Sequence, residues 1–80
     1  GIHLDRGLTT PTTAEASVKR RMIAAARKVV VVADSTKAGR VAFAAVAPVV
    51  SMHMLISDRG LEQRFAAELV ARGIQVLTAE

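Results

Sequence analysis

The stretch Lys28-Val29-Val30-Val31-Val32-Ala33-Asp34-Ser35-Thr36-Lys37-Ala38-Gly39-Arg40 decides the fold of this chain. Four consecutive valines and an alanine make an unbroken apolar run, and β-branched side chains with a restricted χ1 suit a pleated surface better than a helix. A continuous run, unlike an alternating one, implies a strand covered on both faces, the pattern of a parallel sheet. The run ends abruptly at Asp34, after which two hydroxyls, a lysine and a glycine follow in close order. A polar loop just past the carboxyl end of a parallel strand is where open α/β sheets bind their ligands.

Upstream of the run, Thr12 or Thr13 is placed to cap a helix over about residues 14–27, with Glu15 in its first turn and Arg27-Lys28 at its end, as the helix dipole favours. Gly1 to Pro11 reads as a polar, turn-rich loop. Downstream, Arg40 to Ser51 reads as an extended segment stopped by Pro48, although its alanines also suit a helix. Met52 to Ser57 reads as a second strand and Asp58-Arg59-Gly60 as a turn. Leu61, Phe65 and Leu69 recur at helical spacing, giving an amphipathic helix that stops at Gly73, where a left-handed cap belongs. Ile74 to Leu77 is a last strand. This alternation predicts an α/β fold with parallel strands and right-handed crossovers.

At 80 residues the chain is one domain at most, and a domain of this size buries about 60–65% of its unfolded surface. Without cysteine it has neither disulfides nor thiolate zinc sites. A hydrophobic content of 51% excludes a disordered tail. Fifteen alanines and eleven valines supply most of that content, and Phe43 and Phe65 are the only aromatic residues. The net charge of +4 invites a nucleic-acid reading, but the one basic cluster, Lys19, Arg20, Arg21, Arg27 and Lys28, has no aromatic ring interleaved for base stacking. A solvated basic surface accounts for it better. The longest apolar run, Val41 to Val50, includes Pro48 and falls short of the ~20 residues that span a bilayer, so no membrane contact is expected. No basic region followed by an apolar run opens the chain, and the expected location is the cytoplasm. The start at Gly1-Ile2, without Met, reads as a segment of a longer protein. Such a segment leaves an apolar, valine-rich sheet edge unpaired, so a dimer, a swapped assembly or poor solubility is expected.

Asp34, Ser35, Thr36, Lys37 and Gly39 together offer both signs of charge, hydroxyls and exposed amides. Lysine suits a phosphate as a compact charge, aspartate accepts hydrogen bonds from sugar hydroxyls, and glycine lets backbone approach a ligand. The same residues also make an ordinary polar turn, with Asp34 and Ser35 bonded locally. On the upstream helix, Val18, Met22, Ala25 and Ala26 define an apolar arc that also takes in Glu15 and Lys19, while Arg20 and Arg27 fall opposite. Glu15 and Lys19 then either pair at the surface or reach the same sheet edge as Lys37. Thr9 and Thr10, beside Gly7, either line a pocket or shape the helix entry. His3 and His53 have no second ligand at metal spacing, and no Gly-x-Ser-x-Gly elbow surrounds Ser35 or Ser57. Neither a metal nor a cofactor is expected.

Gly1-Ile2-x-Leu4, Gly7-Leu8-Thr9-Thr10-Pro11, Glu15-Ala16-x-Val18-Lys19-Arg20-x-Met22-Ile23, Val32-Ala33-Asp34-Ser35-Thr36-Lys37-x-Gly39-Arg40-Val41-Ala42-Phe43 and Leu55-Ile56-Ser57-Asp58 follow one another in a familiar order. Together they resemble the sensor domain of DeoR-type transcriptional regulators over nearly the whole chain. Ala38 stands where that family usually carries an aromatic residue, and Ser57 where it carries Thr. The resemblance implies a Rossmann-like parallel sheet flanked by helices, of which this chain is the C-terminal part, related to ribose-5-phosphate isomerases and CoA transferases. It implies a phosphorylated sugar or polyol as effector, held by Lys37, Asp34, Ser35, Gly39, Lys19 and Thr9. DNA would be bound only by a separate N-terminal winged helix-turn-helix, absent from this chain, and the regulator would be a homo-oligomer. The isomerases share the strand end that carries Lys37, but their catalytic Glu aligns with Lys19, or with Val18 after a shift of one, and neither is a carboxylate base. No enzymatic activity is therefore expected. A sugar-phosphate isomerase fragment and an oligomerisation module are the alternatives.

Overall fold

The computed structural model describes residues 1–79, which form β1 (Ile2–His3), β2 (Gly7–Thr10), α1 (Thr13–Ala25), β3 (Val30–Val32), β4 (Ala44–Ala47), β5 (Met54–Asp58), α2 (Gln63–Ala71) and β6 (Gln75–Ala79). The strands make two three-stranded sheets, ordered β3-β5-β6 and β1-β2-β4. The first is parallel throughout, with Val31 beside Leu55 and Leu55 beside Val76, as the valine run and the β–α–β alternation require. Helix α2 carries the chain from β5 to β6. Leu69 is wholly buried beneath it, and Gly73, at φ +83°, turns the chain off its end in the left-handed conformation expected there.

The second sheet departs from the sequence reading in two ways. Gly1 to Pro11 is not a loop: β1 and β2 form an antiparallel hairpin that pairs Ile2 with Leu8. Its turn is closed by His3, whose Nδ1 accepts hydrogen bonds from the backbone N–H of Asp5 (3.1 Å) and Arg6 (3.0 Å). The Arg40–Ser51 segment does contain an extended stretch that ends at Pro48, but β4 lies antiparallel to β2 and joins no parallel sheet. Gly7 makes that pairing possible. It sits at φ +79°, and a Cβ there would lie 2.2 Å from the Ala47 carbonyl oxygen.

Two burial expectations are also corrected. The valine strand is not covered on both faces: Val30 and Val32, which share one face, are 45% and 76% exposed, and among the described residues β3 is also an edge strand, paired only with β5. The Val18–Met22 arc of α1 faces outward as well, with Val18 59% and Met22 65% exposed. Helix α1 instead packs on β4 and β2 through Ala16, which is wholly buried, with Ile23 half-buried. Arg20 lies on this inner side, not opposite it, and its guanidinium donates to the Ala45 carbonyl at 2.5 Å. An alanine contact needs no wide apolar stripe, so the arc of larger side chains misidentifies the buried face. Thr12 caps α1 as expected, accepting from the Glu15 N–H at 3.1 Å, and the helix stops at Ala25, short of Arg27.

The core joins the two sheets. Ile2, Leu8, Ala44 and Val46 from one sheet pack in a single cluster with Leu55 from the other and with Leu69 and Ile74 around α2. At the site end the sheets also meet through backbone: Ile2 bridges to Ala38, and the Gly39 N–H donates to the Ile2 carbonyl at 2.7 Å.

Candidate functional site

At the carboxyl end of β3 the chain makes one 3-10 turn, Ser35–Lys37, and both ends of that turn are fixed. Asp34 caps it, accepting from the Thr36 backbone N–H at 2.9 Å and from the Thr36 hydroxyl. Those two bonds, the hydroxyl first, hold the Asp34 carboxyl below its ordinary range. Asp58, at the carboxyl end of β5, accepts the Ser35 N–H at 2.9 Å and the Gly60 N–H at 2.8 Å. Its carboxyl is likewise lowered, first by the Ser35 backbone bond, then by the Ser35 hydroxyl and the Gly60 N–H. The turn is therefore pinned to two adjacent parallel strands. Gly39 sits at φ +77°, and a Cβ there would meet nothing within 4 Å. It serves this turn through its backbone conformation and its bond to Ile2 rather than through a close approach.

The turn presents Lys37 to a cleft of about 570 Å³ between β3, α1 and the β1–β2 hairpin. Lys19 reaches the same cleft from α1 and Thr9 lines it from β2. Lys37 and Lys19 converge near Gly1, whose ammonium donates to the Thr9 carbonyl at 2.8 Å. That amine is pushed below its ordinary range by burial first, then by the positive charges of Lys37 and Lys19. The Thr9 side chain is already engaged, its Oγ1 accepting from the Ala42 N–H at 2.7 Å. Asp34, Ser35 and Gly39 build the turn and lie outside the cleft lining. Glu15 is exposed and outside it too, so Lys19 reaches this edge without the companion expected for it.

Sequence reasoning missed three contributors. Lys28, read as a helix-end cation, lines the cleft beside Val29, so all the lysines of the chain lie on one cavity. Asp58, read as a turn residue, anchors the site turn; its place at the carboxyl end of a parallel strand is close to the signal that picked out Asp34. His53 accepts the Val29 N–H on its Nδ1 at 2.8 Å and so fixes where β3 begins. The lining contains no carboxylate and no imidazole among the described residues. The remaining wall is apolar, from Met22 and Ile23 across to the valines of β3. Chemically, the cleft can hold an anion at its Lys19–Lys37 end.

Within the described residues there is no group of three or more His, Cys, Asp or Glu arranged to hold a metal ion, and no helix is long and apolar enough to cross a membrane. Comparison with known proteins agrees with the resemblance. The chain is 36% identical over 76 residues to the HTH-type transcriptional regulator GlpR of Haloferax volcanii, which covers 95% of this chain and 30% of the relative. It is 33% identical over 76 residues to the HTH-type transcriptional repressor GlcR of Bacillus subtilis, again over 95% of this chain and 30% of the relative. A putative aga operon transcriptional repressor of Escherichia coli O157:H7 is 32% identical over 76 residues, 95% of this chain and 28% of its own length. The chain thus spans about three tenths of the length of these curated relatives. The profile of the DeoR C-terminal sensor domain matches residues 1–59, from the β1–β2 hairpin through the site turn to the end of β5. With that match and these identities, the chain belongs to the family of DeoR C-terminal sensor domains.

Proposed function

We propose that this chain is the effector-sensing segment of a cytoplasmic transcriptional repressor of sugar metabolism, and that its cleft binds a phosphorylated sugar or polyol. The observation that carries the reading is the cleft's charge: Lys19, Lys28 and Lys37 all line a cavity whose described lining holds no carboxylate. A phosphate brings nearly two negative charges and several acceptor oxygens, and ammonium groups are its natural partners. Asp34, Ser35 and Gly39 belong to the same site as the turn that presents Lys37, and Thr9 as its floor. In this reading the fold is the C-terminal part of a Rossmann-like sheet, and DNA is bound by a separate winged helix-turn-helix. Ligand occupancy then acts on that domain by favouring one arrangement of the regulator.

The absence of a carboxylate or imidazole beside the lysines, among the described residues, favours binding over isomerisation, since abstracting a proton from a sugar carbon needs a positioned base. The test is calorimetric titration of the chain, and of a full-length regulator containing it, with phosphorylated sugars and polyols paired with their unphosphorylated forms. Binding confined to the phosphorylated member of a pair, without turnover of aldose or ketose phosphates, is the expected result. Equal binding of both members, or turnover, refutes the reading.

A further inference from the structure

The turn that presents Lys37 is not held by its own residues alone. Every amide from Ser35 to Ala38 is hydrogen-bonded. Those of Thr36, Lys37 and Ala38 bond within the turn and its cap, and that of Ser35 bonds to Asp58 on the neighbouring strand (2.9 Å). The other carboxylate oxygen of Asp58 accepts the Gly60 N–H (2.8 Å). One side chain thus ties the Ser35–Lys37 turn to the turn that leads from β5 into α2. That second turn is itself fixed: the Leu61 N–H donates to the Asp58 carbonyl (3.1 Å), and the Leu61 side chain is buried in the core.

Gly60 shows how closely the two turns fit. Its φ lies outside the left-handed region, so backbone conformation does not call for glycine there. Space does. A Cβ at this position would stand 2.6 Å from the Ser35 Oγ, 3.0 Å from the Asp58 Oδ1 and 3.3 Å from the Ser35 Cβ. A side chain at 60 therefore displaces Ser35 or Asp58, the two partners of the bond that holds the site turn. Neither Asp58 nor Gly60 lines the cleft.

We infer that Asp58 and Gly60 are positioning residues for the effector: acting through Ser35 they fix the turn that carries Lys37, so the turn between β5 and α2 governs the affinity of a site it does not touch. An ammonium carried on a loose turn has to be ordered at each binding event, and a turn already in place removes that cost. Both carboxylate oxygens of Asp58 are used as acceptors, and asparagine supplies only one. The effect on affinity rests on the effector reading; the coupling between the two turns does not.

The test compares Asp58→Asn and Gly60→Ala with wild type in a full-length regulator containing this chain. Without ligand, hydrogen exchange over residues 35–38 should quicken in both variants, while residues 63–71 of α2 exchange as in wild type. With inorganic phosphate and glucose 6-phosphate as probes, calorimetry should show binding roughly three- to tenfold weaker in each variant, the reduction expected when the turn is in place in about a third to a tenth of the molecules. A general structural loss weakens binding whatever stands at position 37, whereas a positioning role acts through Lys37. In the Lys37→Met background the further loss from either substitution should therefore fall below about twofold. Unchanged exchange over residues 35–38 in both variants overturns the coupling. Wild-type affinity with a faster-exchanging turn, or a loss as large in the Lys37→Met background as in wild type, overturns the positioning role. Binding of neither probe by wild type refutes the effector reading and the positioning role with it, and the coupling is then decided by exchange alone.

Discussion

Replacing Lys37 by Met keeps the length of the side chain and removes its charge, which isolates what the cleft asks of this residue. Lys37 is exposed and contributes to no buried cluster, so folding stability should change by no more than about 0.5 kcal/mol. A charge-assisted hydrogen bond to phosphate is worth about 1.5–3 kcal/mol, and at about 1.4 kcal/mol per decade the loss should weaken binding of a phosphorylated ligand roughly ten- to a hundredfold. Lys37→Arg should fall between, since it keeps the charge but changes its geometry. Lys19→Met should weaken binding in the same direction, since Lys19 lines the same cleft. Calorimetry with paired phosphorylated and plain ligands completes the assay, and raising the salt should narrow the gap between wild type and variant. The reasoning fails if Lys37→Met binds the phosphorylated ligand as tightly as wild type.

Leu69 is wholly buried under α2, and Leu69→Ala should cost about 2–5 kcal/mol by chemical denaturation, a large share of the roughly 4–12 kcal/mol that a chain of this length can have. Two glycines at nearly the same φ separate strain from clash: Gly39→Ala, in open space, should cost about 1–2 kcal/mol, whereas Gly7→Ala should cost about 3 kcal/mol or more because its Cβ meets the Ala47 carbonyl. Asp34 and Asp58 have folded-state pKa values below the ordinary carboxylate value, so the stability they contribute is complete above that value and is lost as pH falls through the lowered ones. Asp58→Asn should therefore flatten the acid side of the stability–pH curve below about pH 4, measured as melting temperature against pH.

The parallel sheet was legible because its signals are local. An unbroken valine run, a helix closed by Gly73 and a short strand on either side leave little choice of topology. The β1–β2 hairpin was not legible, because Asp5, Arg6 and Gly7 look like loop and the residue that closes the turn is a histidine bonding through its ring. The face of α1 misled for a different reason. Periodicity weighs large side chains, but the contact that seats this helix is made by Ala16, with Arg20 reaching over it to a β4 carbonyl. Sequence periodicity reports where apolar bulk lies, not which face a neighbouring sheet approaches most closely.

The site shows the same division between what is local and what is not. Lys37 was found from one rule, that ligands gather past the carboxyl ends of parallel strands, and the rule needs only the strand and the residues after it. Asp34 and Ser35 were found by the same rule, yet their hydrogen bonds are spent on the turn and on Asp58, so their contribution is to hold Lys37 in place. Lys19 and Thr9 come from elements far away in sequence, and what brings them to Lys37 is the seam between the two sheets. That seam is held by the Ile2–Ala38 bridge, the Gly39–Ile2 hydrogen bond and a shared apolar core. A cleft that draws Lys19 from α1, packed on the β1-β2-β4 sheet, and Lys37 from the turn after β3 of the other sheet exists only while the seam is closed. An anion bridging Lys19 and Lys37 therefore binds the assembled arrangement and not an opened one, and by linkage it favours closure by the free energy of that difference. In the proposed reading this gives a sensor its physical basis: the contacts that would hold the ligand would also tie the β3 turn to α1.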